Sequence, residues 1–85
     1  MMTTKWEFTY KGHPIEVRTR PHSRLTVDGA VQDETFGLGN RSRLWGRIKT
    51  GDGAGEQIRV SVGSQWFSFT CAVWIDDVEV FRSDA

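Results

Sequence analysis

The chain has 85 residues, 38% of them apolar and 26% charged, and its eleven Lys and Arg cancel eleven Asp and Glu. That is the composition of one folded domain with a thin core rather than of a disordered segment, and zero net charge removes the overall positive field that nucleic-acid binders usually carry. The single cysteine, Cys71, excludes an intrachain disulfide and paired-cysteine zinc motifs, and no apolar run approaches the roughly 18–20 residues needed to cross a bilayer or resembles a signal peptide.

Helical periodicity is nearly absent, whereas alternation with period two recurs along the whole chain. Trp6, Phe8 and Tyr10 alternate with Glu7 and Thr9, predicting a first strand near 5–10. Ile15 and Val17 mark a second near 14–19, and Leu25 and Val27 a third near 24–27. Asp28-Gly29 then fits a tight hairpin into a fourth strand near 30–36, because a two-residue primed turn needs positive φ. Pro21 cannot donate to a ladder and belongs to the loop after the second strand. After Gly37-Leu38-Gly39-Asn40 a fifth strand is expected near 43–48, and beyond the glycine-rich stretch 51–55 a sixth near 56–62, carried by Ile58, Val60 and Val62. The longest run, 66–75, places Phe67, Phe69, Cys71, Val73 and Ile75 on one face, and Asp76-Asp77 turns it into a last strand near 78–81. Turn signals at such spacing describe an all-β protein, an antiparallel β-sandwich of about eight short strands in a single domain spanning residues 1–85. The expected core is Phe8, Ile15, Val17, Leu25, Val27, Ile58, Val60, Phe67, Phe69, Cys71, Val73 and Ile75, and residues 1–4 and 83–85, lacking apolar anchors, are expected to fray. The segments around 15–31 and 58–80 echo one another as strand, strand, acidic turn, strand, so the sandwich could consist of two pseudo-repeated halves.

Catalytic signatures are weak. His13 and His22 sit in or beside predicted loops, Cys71 lies in an apolar phase where it behaves as a small hydrophobe, and no Gly-x-Ser-x-Gly elbow occurs. Asp52 and Glu56 faintly suggest calcium ligation, but the ordered spacing of a calcium loop is missing and a mobile hairpin loop accounts for them better. The expectation is a protein that is not an enzyme and uses neither metal nor cofactor.

What remains is surface pattern. Three tryptophans fall in the polar phase of their strands: Trp45 beside Arg43 and Arg47, and Trp66 and Trp74 opposite the apolar face of the longest strand. An aromatic removes about 150–250 Å² from water when buried, so three left outside form a candidate interaction surface, unless loops cover them or a bulge reverses the phase of the strand. Residues 1–50 hold nine Lys/Arg against five Asp/Glu, and residues 51–85 two against six. The halves could neutralise each other across neighbouring strands, or the asymmetry could orient two copies about a two-fold axis.

His13-Pro14-Ile15-Glu16-Val17, Ser23-Arg24-Leu25-Thr26-Val27-Asp28-Gly29, Leu44-Trp45-Gly46 and Val73-Trp74-Ile75-Asp76-Asp77 together resemble the Fas apoptotic inhibitory molecule family over about residues 13–80. The resemblance implies a compact intracellular, hence cytoplasmic, β-sandwich (FAIM-like) that acts through protein contacts and has no catalytic residues; the family's second hairpin glycine is Asp77 here. The expectation for function is a non-enzymatic protein-interaction module whose partner is either another protein or a second copy in a homodimer, met through Trp45, Trp66, Trp74, Arg43 and Arg47. A single-stranded nucleic-acid binder using the Arg-rich first half with Trp45 is the alternative, and sugar stacking on the same face is a distant third.

Overall fold

The computed structural model describes residues 5–19, 22–36, 41–65 and 68–83. The expectations that involve residues 1–4, Pro21, the 37–40 stretch, Trp66, Phe67 and residues 84–85 lie outside them. Eight antiparallel strands appear, β1 (Lys5–Tyr10), β2 (His13–Arg18), β3 (Ser23–Val27), β4 (Ala30–Thr35), β5 (Arg41–Arg47), β6 (Gln57–Gln65), β7 (Ser68–Ile75) and β8 (Val78–Arg82). There is no helix among the described residues. Each half of the chain forms one sheet in simple meander order, β1-β2-β3-β4 and β5-β6-β7-β8.

Three hairpins are made by two-residue turns with positive φ at both positions: Lys11-Gly12 (48°, 83°), Asp28-Gly29 (54°, 80°) and Asp76-Asp77 (48°, 66°). This backbone matches the right-handed twist of the flanking strands, and Asp tolerates it better than a branched residue would. Alternation then sends Ile15, Val17, Leu25 and Val27 inward from the first sheet, and Leu44, Ile58, Val60, Val62, Cys71, Val73 and Ile75 inward from the second, all buried in one cluster. Ile48, just past β5, joins them. Phe8 and Phe69, expected in the core, pack against it and stay half-buried. Phe8 rides on the edge strand β1, where its ring stacks on Phe81 of the opposite sheet with centroids 4.9 Å apart. On the other side, the backbone N–H of Trp45 in β5 donates to Asp33 Oδ2 of β4 at 2.8 Å, so a carboxylate covers an edge that would otherwise be open for pairing.

The two halves repeat in register. Ile15 pairs with Val27 and Val27 with Ala30; Ile58 pairs with Ile75 and Ile75 with Val78. Each final strand carries one extra residue at the same distance past its turn, Gln32 in β4 and Val80 in β8, where pairing skips from Val31 to Asp33 and from Glu79 to Phe81. The turn N–H of Asp28 donates to Pro14 O (3.0 Å), and that of Asp76 to Gln57 O (2.9 Å). A bulge thus does exist beside β7, but it sits on β8, and β7 keeps one phase from Phe69 to Ile75.

Two expectations about loops change. His13 opens β2 and is buried, because its ring has partners on both sides: Nδ1 lies 2.8 Å from Asp28 Oδ2, and Nε2 lies 2.7 Å from the Asp52 carbonyl oxygen. The 51–55 stretch is not a free excursion either. Gly55 N–H donates to Ile48 O at 2.8 Å, Ile48 N–H donates to Glu56 O at 3.0 Å, and Lys11 Nζ reaches Glu56 Oε1 at 2.8 Å. Lys11 and His13 therefore tie the loop of the second sheet to the first.

Candidate functional site

Strand register decides which side chains share the outer face of the second sheet. Trp45 lies opposite Arg59, Arg59 opposite Trp74, and Trp74 opposite Glu79, giving one lateral row of alternating aromatic and charged groups. The next row runs Arg43, Ser61, Ala72, Arg82, and the one beyond it Arg41, Gly63, Thr70. Small residues in the middle strands leave a shallow floor. Grooves of about 310 Å³ (Arg41, Arg43, Trp45, Arg59, Ser61, Trp74) and about 240 Å³ (Ser61, Gly63, Thr70, Ala72 with Arg41 and Arg82) adjoin on it.

Trp45 keeps 55% of its surface exposed on the edge strand. Trp74 is half-buried: the Arg59 guanidinium carbon stands 5.2 Å from its ring centroid, a cation–π distance. Arg59 also approaches Asp77 Oδ1 at 3.7 Å, an exposed pair that contributes little, and Arg82 pairs with Glu79. Arg41, Arg43 and Arg47 are exposed and take part in no ion pair among the described residues. Charge is divided across the face, with Asp76, Asp77 and the Arg82-paired Glu79 on the β7–β8 side and Arg41, Arg43 and Arg47 along β5.

The outer face of the first sheet is different in kind. Its charges close on themselves: Lys5 with Glu7 at 2.7 Å, Arg18 with Glu16 at 2.7 Å, and Arg24 with Glu34 at 3.8 Å. On that face charge is neutralised within the sheet, Lys11 and Glu56 pair between the halves, and the unbalanced arginines collect on the other sheet.

Of the residues singled out from the sequence, Trp45, Trp74 and Arg43 line one groove. Arg47 stands past Trp45 towards Gln57, and Trp66 lies outside the described residues. Arg41 belongs to the Arg-rich first half and opens β5, two residues before the expected start of that strand, whereas Arg59 and Arg82 were not singled out, although Arg59 occupies an outward phase beside Val60. Their membership depends on how β6 and β8 pair, which alternation within one strand does not reveal.

Other chemistry is limited. Burial pushes the Cys71 thiol up to about 12, far from a reactive thiolate at neutral pH. Among the described residues no three His, Cys, Asp or Glu side chains gather as a metal site would require, and no helix is long and apolar enough to cross a membrane. Comparisons with protein-family models, curated proteins and solved structures find no match to the chain.

Proposed function

We propose that this is a non-catalytic binding module, cytoplasmic in setting, whose recognition surface is the outer face of β5–β8 and whose partner is anionic. The observation that supports it is the cluster of arginines around Trp45 and Trp74, three of them without a carboxylate, on a protein whose other sheet face is charge-balanced. Trp and Arg are the side chains most enriched where binding energy concentrates, since both combine apolar area with a fixed polar geometry. Retention on a heparin column tests the reading. Arg43→Ala with Arg47→Ala should elute at clearly lower salt than wild type, and Lys5→Ala with Arg18→Ala, on the first sheet, should not. Equal shifts for the two pairs would refute a face-specific anion surface.

A second reading rests on the polarity of the same face and on the resemblance to the Fas apoptotic inhibitory molecule family, which implies protein contacts. A two-fold axis passing near Arg59 and running obliquely to the Trp45–Arg59–Trp74 row would lay Arg41 and Arg43 of one copy over Asp76 and Asp77 of the other, with the tryptophans between. Sedimentation of wild type against Trp45→Ser measures it: a dimer lost in the variant supports the two-fold contact, and a monomer at high concentration removes it.

A further inference from the structure

We infer that the anionic partner of this face is a single-stranded nucleic acid, running along β5 with its bases on Trp45 and Trp74 and its phosphates on the arginines. The inference rests on the proposed anion surface and adds the class of ligand.

Spacing is the first support. Outward positions on one strand recur every two residues, about 6.8 Å, so Arg41, Arg43, Trp45 and Arg47 form a line about 20 Å long. Three cations and one aromatic on such a line suit an extended polymer that alternates charge with flat rings. Trp74 stands two strands away, about 10 Å from Trp45, with Arg59 between them. A second base can therefore stack without leaving the groove, while Arg59 supplies charge at its centre. Stacking platforms flanked by arginine are how sequence-tolerant single-strand binders work, because every base offers a π-face.

Shape is the second support. The face is shallow and floored by Ser61, Gly63 and Ala72, and no helix or protruding ribbon rises from it among the described residues. Nothing there could enter a duplex groove, and a duplex hides the base faces that the tryptophans would need. Charge sets the path. Asp76 and Asp77, at the turn joining β7 and β8, repel phosphates from that side of the face, which keeps the strand on the arginines of β5.

The experiment is fluorescence anisotropy of a labelled twelve-residue oligothymidylate and of a labelled duplex of equal length, titrated with full-length protein at 50 and 200 mM salt. Three to five phosphate contacts predict a log–log slope of about −2 to −3.5 with salt, a loss of about 20- to 100-fold over that range. Trp45→Ala should weaken single-strand binding about tenfold or more. Arg43→Ala should reduce the slope by about 0.7, and the duplex should bind more weakly than the single strand. Equal affinity for duplex and single strand, or no effect of Trp45→Ala, overturns the inference. It does so while leaving the anion surface standing if heparin retention still depends on Arg43 and Arg47. No binding to either oligonucleotide by a protein that dimerises through Trp45 assigns the face to a second copy instead. Circular dichroism of each variant at the titration temperature keeps loss of binding separate from loss of fold.

Discussion

At Gly46 the second sheet approaches the first closely, and adding one methyl group there measures how tightly they fit. It shares the inward phase of Leu44 on β5 and of Ile48 just past it. A Cβ built on it would meet Leu25 Cδ2 at 2.9 Å and Gln32 Cβ at 3.2 Å. Leu25 is fully buried and Gln32 is held in the β4 bulge, so neither can move aside freely. Overpacking of this sort costs about 1–3 kcal/mol. Against it stands the stiffer unfolded chain that any Gly→Ala change creates, which contributes about 0.4–1 kcal/mol in the other direction where φ is ordinary. Gly46→Ala should therefore destabilise by about 1–2 kcal/mol, which for a domain this size lowers Tm by about 5–15 °C.

The cause is separable from the effect. Leu25→Val withdraws the atom that Cβ would strike, and on its own should cost about 1 kcal/mol by leaving a small void. In the double variant the new methyl occupies part of that void, so the combined loss should fall short of the two single losses added together. Four urea denaturation curves, followed by tryptophan fluorescence, give the cycle. Additivity to within about 0.5 kcal/mol, or a Gly46→Ala protein as stable as wild type, would show that the sheets do not meet at Leu25 as described.

Two further outcomes follow from single groups. The His13 ring faces acceptors at both nitrogens and so binds best as the imidazolium; the hydrogen bond to the Asp52 carbonyl, then that to the Asp28 carboxylate, raises its pKa above the ordinary value. Its contribution is accordingly complete below about pH 6.5, the unfolded value, and is lost as pH climbs through the higher folded one. Tm measured from pH 5.5 to 9 should fall more steeply in wild type than in His13→Asn, and parallel curves would refute the staple. Cys71 is buried with its thiol pushed up to about 12, so at pH 8 a thiol reagent should modify it only at the rate of global opening, accelerating as urea is added. Rapid labelling of the native protein would place it at the surface.

Fold class was legible because burial in a two-layer β protein is written strand by strand. Ile15 and Val17, or Ile58, Val60 and Val62, disclose an inward face without reference to any other strand. Features that depend on pairing were not legible. The extra residues Gln32 and Val80 sit in ordinary alternating runs, and only the partner register shows them to be bulges. His13 looked like a loop histidine because the atoms that bury it, on Asp28 and Asp52, are 15 and 39 residues away. The site was half visible for the same reason. Trp45, Arg43 and Arg47 stand on one strand and could be read together, whereas Arg59 and Arg82 join them only across β6 and β8.

The internal repeat bears on whether the aromatic face serves the fold or something outside it. In register, Phe8 opposite Ile15 corresponds to Gly46 opposite Ile58, so Glu7, Glu16, Thr26 and Val31 occupy in the first sheet the places held by Trp45, Arg59, Trp74 and Glu79 in the second. The same strand register, with the same last turn and the same bulge, forms in the first half with two carboxylates, a threonine and a valine in that row. The architecture therefore does not require two tryptophans flanking an arginine, and a Trp side chain more than half exposed adds little to the stability of a thin core. What the second row adds over the first is aromatic area and positive charge facing outward, the two properties on which the proposed anion surface rests.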